Sequence, residues 1–232
     1  MSGPLLEVSG LHTFYGASHV LHGVSFSIGA GEVVSLLGRN GMGKTTTIRS
    51  ELGLTPPRSG EVRVRGKSVA GFPVHRIAQE GIALVPEGRG IFPTLTVAEH
   101  LEMAACPGRW TRERALELFP RLRERLANLG SQLSGGEQQM LSIARALLTN
   151  PELIILDGAT EGLAPLMREE IWAALRKLRA AGTAALVVDK EVRKLLDLCD
   201  RHLILVKGEI VFSGTSAAFR ERLEENLAHL RA

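Results

Sequence analysis

Residues Gly38 to Thr45, reading Gly-Arg-Asn-Gly-Met-Gly-Lys-Thr, constrain this chain more than any other segment. They fit the pattern G-x-x-x-x-G-K-[ST], and the flanks give the pattern its meaning. Glu32 to Leu37 reads as a buried strand, and Thr45 to Leu52 reads as the start of a helix. Between a strand and a helix, glycines let backbone N–H groups turn inward on an anion. Lys44 would reach terminal phosphates and the Thr45 hydroxyl would ligate Mg²⁺. The plainer reading is a Gly-rich turn before an ordinary helix, but strand, loop and helix fall here in the order a phosphate loop requires. The chain is expected to bind ATP or GTP.

Composition excludes little else. An apolar content of 44% and a charged content of 23% are ordinary for a globular protein. No apolar run approaches the roughly 20 residues of a membrane span, and the first residues lack a signal-like segment, so a cytosolic chain is expected. Cys106 and Cys199 lie far apart and read as free thiols. Seven histidines are scattered without ligand spacing, which argues against a metal site built from protein groups alone. The net charge of +3 is too small to imply nucleic acid. Arg109, Arg112, Arg114, Arg121, Arg123 and Arg125 form a dense stretch, yet Glu113, Glu117 and Glu124 among them favour a solvated helix face.

Strand-like and helix-like segments alternate, as in an α/β protein with a mainly parallel sheet. Leu5 to Val8, Val24 to Ile28 and Glu61 to Val64 read as an antiparallel β flank. Ile82 to Val85, Leu153 to Leu156 and Ala184 to Val188 are short apolar runs suited to strands buried on both faces. Leu203 to Val206 and Glu209 to Phe212 read as a hairpin turning at Gly208. Thr94 to Leu129 is helical in pattern and interrupted by Pro107, Gly108 and Pro120, which suggests a helical insertion. Near the end, Phe219, Leu223, Leu227 and Leu230 keep helical spacing behind the candidate caps Thr215 and Ser216.

Two further motifs follow the phosphate loop. Leu133-Ser134-Gly135-Gly136-Glu137-Gln138-Gln139 contains the capping box Ser134-x-x-Glu137. That reading does not explain two glycines in the first turn of a helix, where they weaken it. A bare Gly-rich helix start can meet a phosphate instead. Pro151 to Asp157 reads as an apolar strand ending in a carboxylate that could hold Mg²⁺, or more simply as a strand ending in a turn-forming Asp.

Together these residues resemble the ATP-binding-cassette (ABC) ATPases over essentially the whole chain. Tyr15, GRNGMGKT, VPEGR at Val85 to Arg89, LSGGEQQ and LIILD carry the resemblance. The tracts VPEGRGIFPTLTVAEHL, LFPRLRERL and GLAP (Gly162 to Pro165) are similar to the second ATPase subunit of branched-chain amino-acid importers and of urea or amide importers. The resemblance implies a P-loop NTPase (RecA-like) core with an antiparallel β flank and a helical insertion subdomain. One ABC ATPase domain would fill residues 1–232, with the core in 1–93 and 150–232 and the signature subdomain in 94–149.

It also implies two subunits joined head to tail, with ATP between the phosphate loop of one and the LSGGE helix of the other. Tyr15 would stack on adenine. Gly38, Arg39, Asn40, Gly41, Met42, Gly43, Lys44, Thr45 and Thr46 would hold the nucleotide. Leu133, Ser134, Gly135, Gly136, Glu137 and Gln138 would serve the partner's site. Thr45, Glu87 and Asp157 would attend Mg²⁺, with Glu87 standing where most of the family has glutamine. Further expectations are a second ABC ATPase subunit, as a heterodimer rather than a homodimer, membrane permease subunits docked near Ile91 and Phe92, and indirectly a solute-binding protein. Nucleic acid is not expected as a partner. The subunit would sit in the cytoplasm, peripheral on the inner face of the cell membrane.

Two positions depart from the family. Gly158 follows Asp157 where the family places the glutamate that polarises the attacking water, and glycine takes no proton. A positioned base contributes roughly 10²- to 10⁴-fold, so slow hydrolysis at this phosphate loop is expected. Lys190 stands where a histidine often contacts the γ-phosphate. In the GLAP tract Ala164 replaces a common aspartate. Asp189 and Glu161 are the nearest carboxylates that could substitute as base. The other functional classes are a non-transport ABC protein acting on DNA or the ribosome, and a regulatory clamp without a membrane partner.

Overall fold

The computed structural model describes residues 3–231, so the outermost domain bounds, 1 and 232, lie outside the described residues. In chain order the elements are β1 (Leu6–Tyr15), β2 (Ser18–Ile28), β3 (Val33–Leu37), α1 (Lys44–Glu51), β4 (Ser59–Val64), β5 (Lys67–Ser68), α2 (Val74–Gln79) and β6 (Ile82–Val85). Then come α3 (Val97–Ala104), α4 (Arg112–Leu118), α5 (Pro120–Glu124), α6 (Gly135–Leu148), β7 (Leu153–Asp157), α7 (Pro165–Ala180) and β8 (Ala184–Val188). The chain closes with α8 (Val192–Leu198), β9 (Arg201–Val206), β10 (Glu209–Thr215), α9 (Ser216–Glu221) and α10 (Leu223–Leu230).

A six-stranded sheet runs in the order β10-β9-β3-β8-β7-β6, parallel except for β10. A four-stranded antiparallel sheet, β2-β1-β4-β5, packs beside it. The apolar runs explain the layering. Every residue of β3, β7 and β8 is buried. Side chains alternate between faces, so each strand feeds two cores. Val33, Ile154, Leu156, Ala185 and Val187 join α3 to α8 in one core. Val34, Leu36, Leu153, Ile155 and Leu186 meet Ile48 of α1 and the antiparallel sheet in the other.

The helical insertion shares the first of these cores through Val97, Leu101, Leu116, Phe119 and Leu122. Its arginines turn outward: Arg121 pairs with Glu170 and Arg125 with Glu137. This is the solvated face expected from the interleaved charges.

Two expectations need correction, and a third is sharpened. The first two strands are longer than Leu5 to Val8 and Val24 to Ile28, because they form one long hairpin that takes in polar residues and whose register slips at several points. The insertion is helical and interrupted where Pro107, Gly108 and Pro120 suggest, giving three helices before a 3₁₀ turn at Gly130–Gln132. The C-terminal apolar series is not one helix. Thr215 caps α9 by accepting from the Ala218 N–H, and the chain breaks at Arg222 before α10. Phe219 is fully buried while Leu223 is exposed.

Candidate active site

Parallel strands place their C-terminal ends at one edge, where an α/β sheet opens to ligands. Here β3 delivers the phosphate loop, β6 delivers Glu87, β7 ends on Asp157, and β8 is followed by Asp189 and Lys190. Pairing of Asp157 with Val188 holds two of these ends level.

The phosphate loop folds as its sequence demands. Gly43 caps α1 at φ +104°, and a Cβ there would lie 2.9 Å from Leu21 Cδ2. Only glycine meets both conditions without strain. Lys44 curls over the loop and donates from Nζ to the carbonyls of Gly38 (2.8 Å) and Arg39 (3.0 Å). Met42 fastens the loop from outside: its carbonyl accepts from the Gly208 N–H and its sulfur from the Lys207 N–H. The β9–β10 turn therefore supports the phosphate loop, a role its sequence does not advertise.

A cavity of about 320 Å³ is lined by Asn40, Gly41, Gly43, Lys44, Thr45, Thr46, Glu87, Asp157, Gly158 and Glu161, with Val20 and Val188. A second, of about 450 Å³, brings in Gly38, Arg39, Asp189, Lys190 and Leu230. Nearly all the expected phosphate and metal residues thus meet around two adjoining spaces. Tyr15 stands at the rim of this region, half exposed, its hydroxyl 3.4 Å from Thr55 Oγ1 and its pKa lowered chiefly by that bond.

Burial governs the charges. It pushes the Lys44 ammonium down, while Glu161, Asp157 and Glu87 oppose that shift. It pushes the Asp157 carboxyl up; the Thr45 hydroxyl counters this and the nearby Glu87 adds to it. Three carboxylates crowded beside one lysine make a site that a hard divalent cation would relieve, with oxygen donors of the kind Mg²⁺ prefers. Among the described residues, no three His, Cys, Asp or Glu side chains could cage a metal by themselves. Bound phosphates and water would have to complete such a coordination shell.

The second glycine-rich helix start lies apart, since residues 133–138 line neither cavity. Ser134 caps α6 in a full capping box: its hydroxyl accepts from the Glu137 N–H at 3.3 Å, and Glu137 Oε2 accepts from the Ser134 N–H at 2.8 Å. Gln138 donates to the Gly130 carbonyl, and Ser134 itself is exposed.

Gly158 sits at φ +73° in a turn pinned to β8, with its N–H donating to the Val188 carbonyl. Asp189 is buried and fully engaged. Its Oδ2 accepts from the Thr160 N–H and hydroxyl, both at 2.7 Å, and its Oδ1 from the Glu191 N–H at 3.0 Å. Lys190 pairs with Glu161 at 3.0 Å. Val20 and Leu230 also line these cavities, and nothing local to the sequence marks either as a cavity residue.

Comparison with known proteins agrees with this geometry. The ABC transporter family profile matches residues 21–161. The high-affinity branched-chain amino acid transport ATP-binding protein BraG of Pseudomonas aeruginosa is 39% identical over 92% of this chain and 94% of its own. The lipopolysaccharide export system ATP-binding protein LptB of Haemophilus influenzae is 37% identical over 91% and 90%. Among solved structures, an ATP-binding subunit of an ABC transporter superposes with a TM-score of 0.84 at 32% identity, covering 97% of this chain and 99% of that one. The chain belongs to the ABC transporter ATPase family.

Proposed function

We propose that this chain is the ATP-binding subunit of an importer for branched-chain amino acids or similar small polar solutes. Its likeness to BraG over nearly the full length of both chains, together with the GLAP tract, supports that substrate class. The chain works beside a second ABC ATPase subunit, on the cytoplasmic face of permease subunits that a solute-binding protein serves. No helix among the described residues is long and apolar enough to cross a membrane, so membrane contact is made through such partners. ATP and Mg²⁺ are held by the phosphate loop, Thr45, Glu87 and Asp157, and LSGGE completes the partner's site.

Permease docking falls to the surface around Phe92. Its ring is 47% exposed and packs against His100 of α3, while neighbouring Ile91 packs inward on the core.

One observation carries the mechanistic part. The position after Asp157 holds a glycine in a left-handed turn, where a side chain able to take a proton from water is missing. The subunit therefore binds nucleotide and closes as a clamp, and its own site turns over slowly, so a heterodimer with a competent second site fits better than a homodimer. The test is phosphate release from ATP by the purified chain beside its Gly158→Glu variant. A Cβ at 158 meets only ordinary contacts, at 3.5 Å and beyond, so the substitution fits at the cost of about 1–2 kcal/mol of left-handed strain. The variant should turn over at least 10-fold faster, toward the roughly 10²- to 10⁴-fold worth of a general base. Equal rates would defeat this reading.

A further inference from the structure

The left-handed turn at Gly158 does more than remove a side chain. Its carbonyl accepts from the Glu161 N–H at 3.3 Å, so the chain doubles back within three residues. Glu161 returns to the space beside position 158: a Cβ built on Gly158 would lie 3.6 Å from Glu161 Cγ and 3.8 Å from its Cβ. The Glu161 side chain thus stands beside position 158 from the far side of the turn.

Of the acids near the phosphate loop, Glu161 alone lines both adjoining cavities, the one with Thr45 and Asp157 and the one with Lys190. Glu87 lines only the first. Asp189 lines only the second, and its oxygens are spent on backbone and Thr160. Lys190 holds Glu161 through Oε1 at 3.0 Å, leaving Oε2 without a hydrogen bond from the described residues. The Glu161 side chain is 31% exposed, so water reaches it.

The geometry points to Glu161 as the general base for the slow turnover of this chain's own site, with Lys190 as its positioning residue. This rests on the proposed reading that the phosphate loop binds ATP and hydrolyses it slowly. In the step, a water oxygen bonds to the γ-phosphorus as its proton passes to Glu161 Oε2. The bond from that phosphorus to the β–γ bridging oxygen breaks, and its electron pair leaves on ADP. The proton then goes to solvent. The base would thereby stand three residues along, at Glu161 instead of position 158, with Lys190 beside it in the place of the family's histidine.

The test is single-turnover phosphate release from Mg–ATP with the full chain in excess, run with an equilibrium measurement of ATP affinity. Glu161→Gln should slow release at least 10-fold and leave the affinity within twofold. Lys190→Ala should slow release at least threefold with ATP affinity unchanged, and Lys190→Arg, which keeps a cation beside Glu161, should restore most of the rate. Within a Gly158→Glu background, Glu161→Gln should matter less than threefold. The inference is overturned if Glu161→Gln leaves the rate unchanged, if affinity changes in step with rate, or if only Glu87→Gln abolishes release. It is also overturned if the unaltered chain releases no phosphate above a protein-free blank. In that case a faster Gly158→Glu variant still supports the proposed function. A Gly158→Glu variant no faster than the native chain, with Glu161→Gln inactive, would sustain the inference and defeat the clamp reading.

Discussion

Helices α1 and α6 both begin at glycines, and they solve the same electrostatic problem in opposite ways. A helix N-terminus leaves backbone donors without intrahelical partners and carries a partial positive charge. In α1 the capping residue is Gly43, no side chain caps the end, and no acid occupies the first turn. In α6, Ser134 and Glu137 cap one another, and Glu137 places a negative charge in the first turn. The first helix start receives no cap from its own side chains. The second is structurally complete and remains at the surface, able to meet a phosphate that another subunit presents. Identical-looking glycines therefore open an uncapped helix start in one place and a self-capped one in the other.

The far end of α1 offers the strongest way to test how far that helix depends on help. Glu51 is fully buried, neither carboxylate oxygen has a hydrogen-bond partner, and burial pushes its pKa up to about 8. No charged group contributes to that shift. Because the folded pKa lies above the unfolded value, this stability is full below about pH 4.5 and is lost as pH rises through 8. At about 1.4 kcal/mol per unit the loss amounts to several kcal/mol. Urea unfolding at pH 5, 7 and 8.5 should show Glu51→Leu increasingly more stable than the native chain as pH rises. A constant difference across that range would mean that Glu51 finds a partner. His202 acts in the other direction. Buried between Ser35 and Ser216, it is held down to about 4, so its contribution is lost as pH falls from about 6.5 toward 4.

Next in size is the loss of the lysine at the start of α1. Lys44 now spends its ammonium on two loop carbonyls, bonds that a phosphate would replace with ion-paired ones. Hydrogen bonds to charged groups are worth about 1.5–3 kcal/mol. Lys44→Ala should weaken ATP binding roughly 10- to 100-fold in a direct titration, with thermal stability little changed. Unaltered affinity would remove the phosphate loop from the site.

What could be read from the sequence follows from range. The phosphate loop, Asp157 and the buried strands were legible because each depends on neighbours within a few residues. Strands buried on both faces must be apolar throughout, and β3, β7 and β8 are. The β1–β2 hairpin runs past the apolar segments Leu5 to Val8 and Val24 to Ile28 because His12, Thr13, Ser18 and His19 interrupt the apolar alternation, although Thr13 among them is buried. Glu51 follows Arg49 and Ser50 and reads as a polar helix end, yet the fold buries it completely. Leu230 lines a cavity with Lys44 although 186 positions separate them, which only the tertiary fold creates. Asp189 and Glu161 were equal candidates by proximity along the chain; hydrogen bonding separates them, and no spacing rule carries that information.

The smallest expected effect is the one that divides the two helix starts most cleanly. Ser134→Ala removes the side-chain half of the α6 cap and leaves Glu137 able to accept from the backbone N–H of residue 134. Loss of such a cap costs about 1 kcal/mol. The position lines neither cavity at the phosphate loop, so the chain's own ATP affinity should stay within twofold while its unfolding midpoint drops by a few degrees. Turnover in a mixed assembly with a competent second ATPase subunit should fall by more than that stability loss explains, because Ser134 would serve the other subunit's nucleotide. If ATP affinity of the isolated chain fell instead, the α6 start would belong to the same pocket as Lys44. The contrast between a helix completed by its own ligand and one completed by its partner's would then collapse.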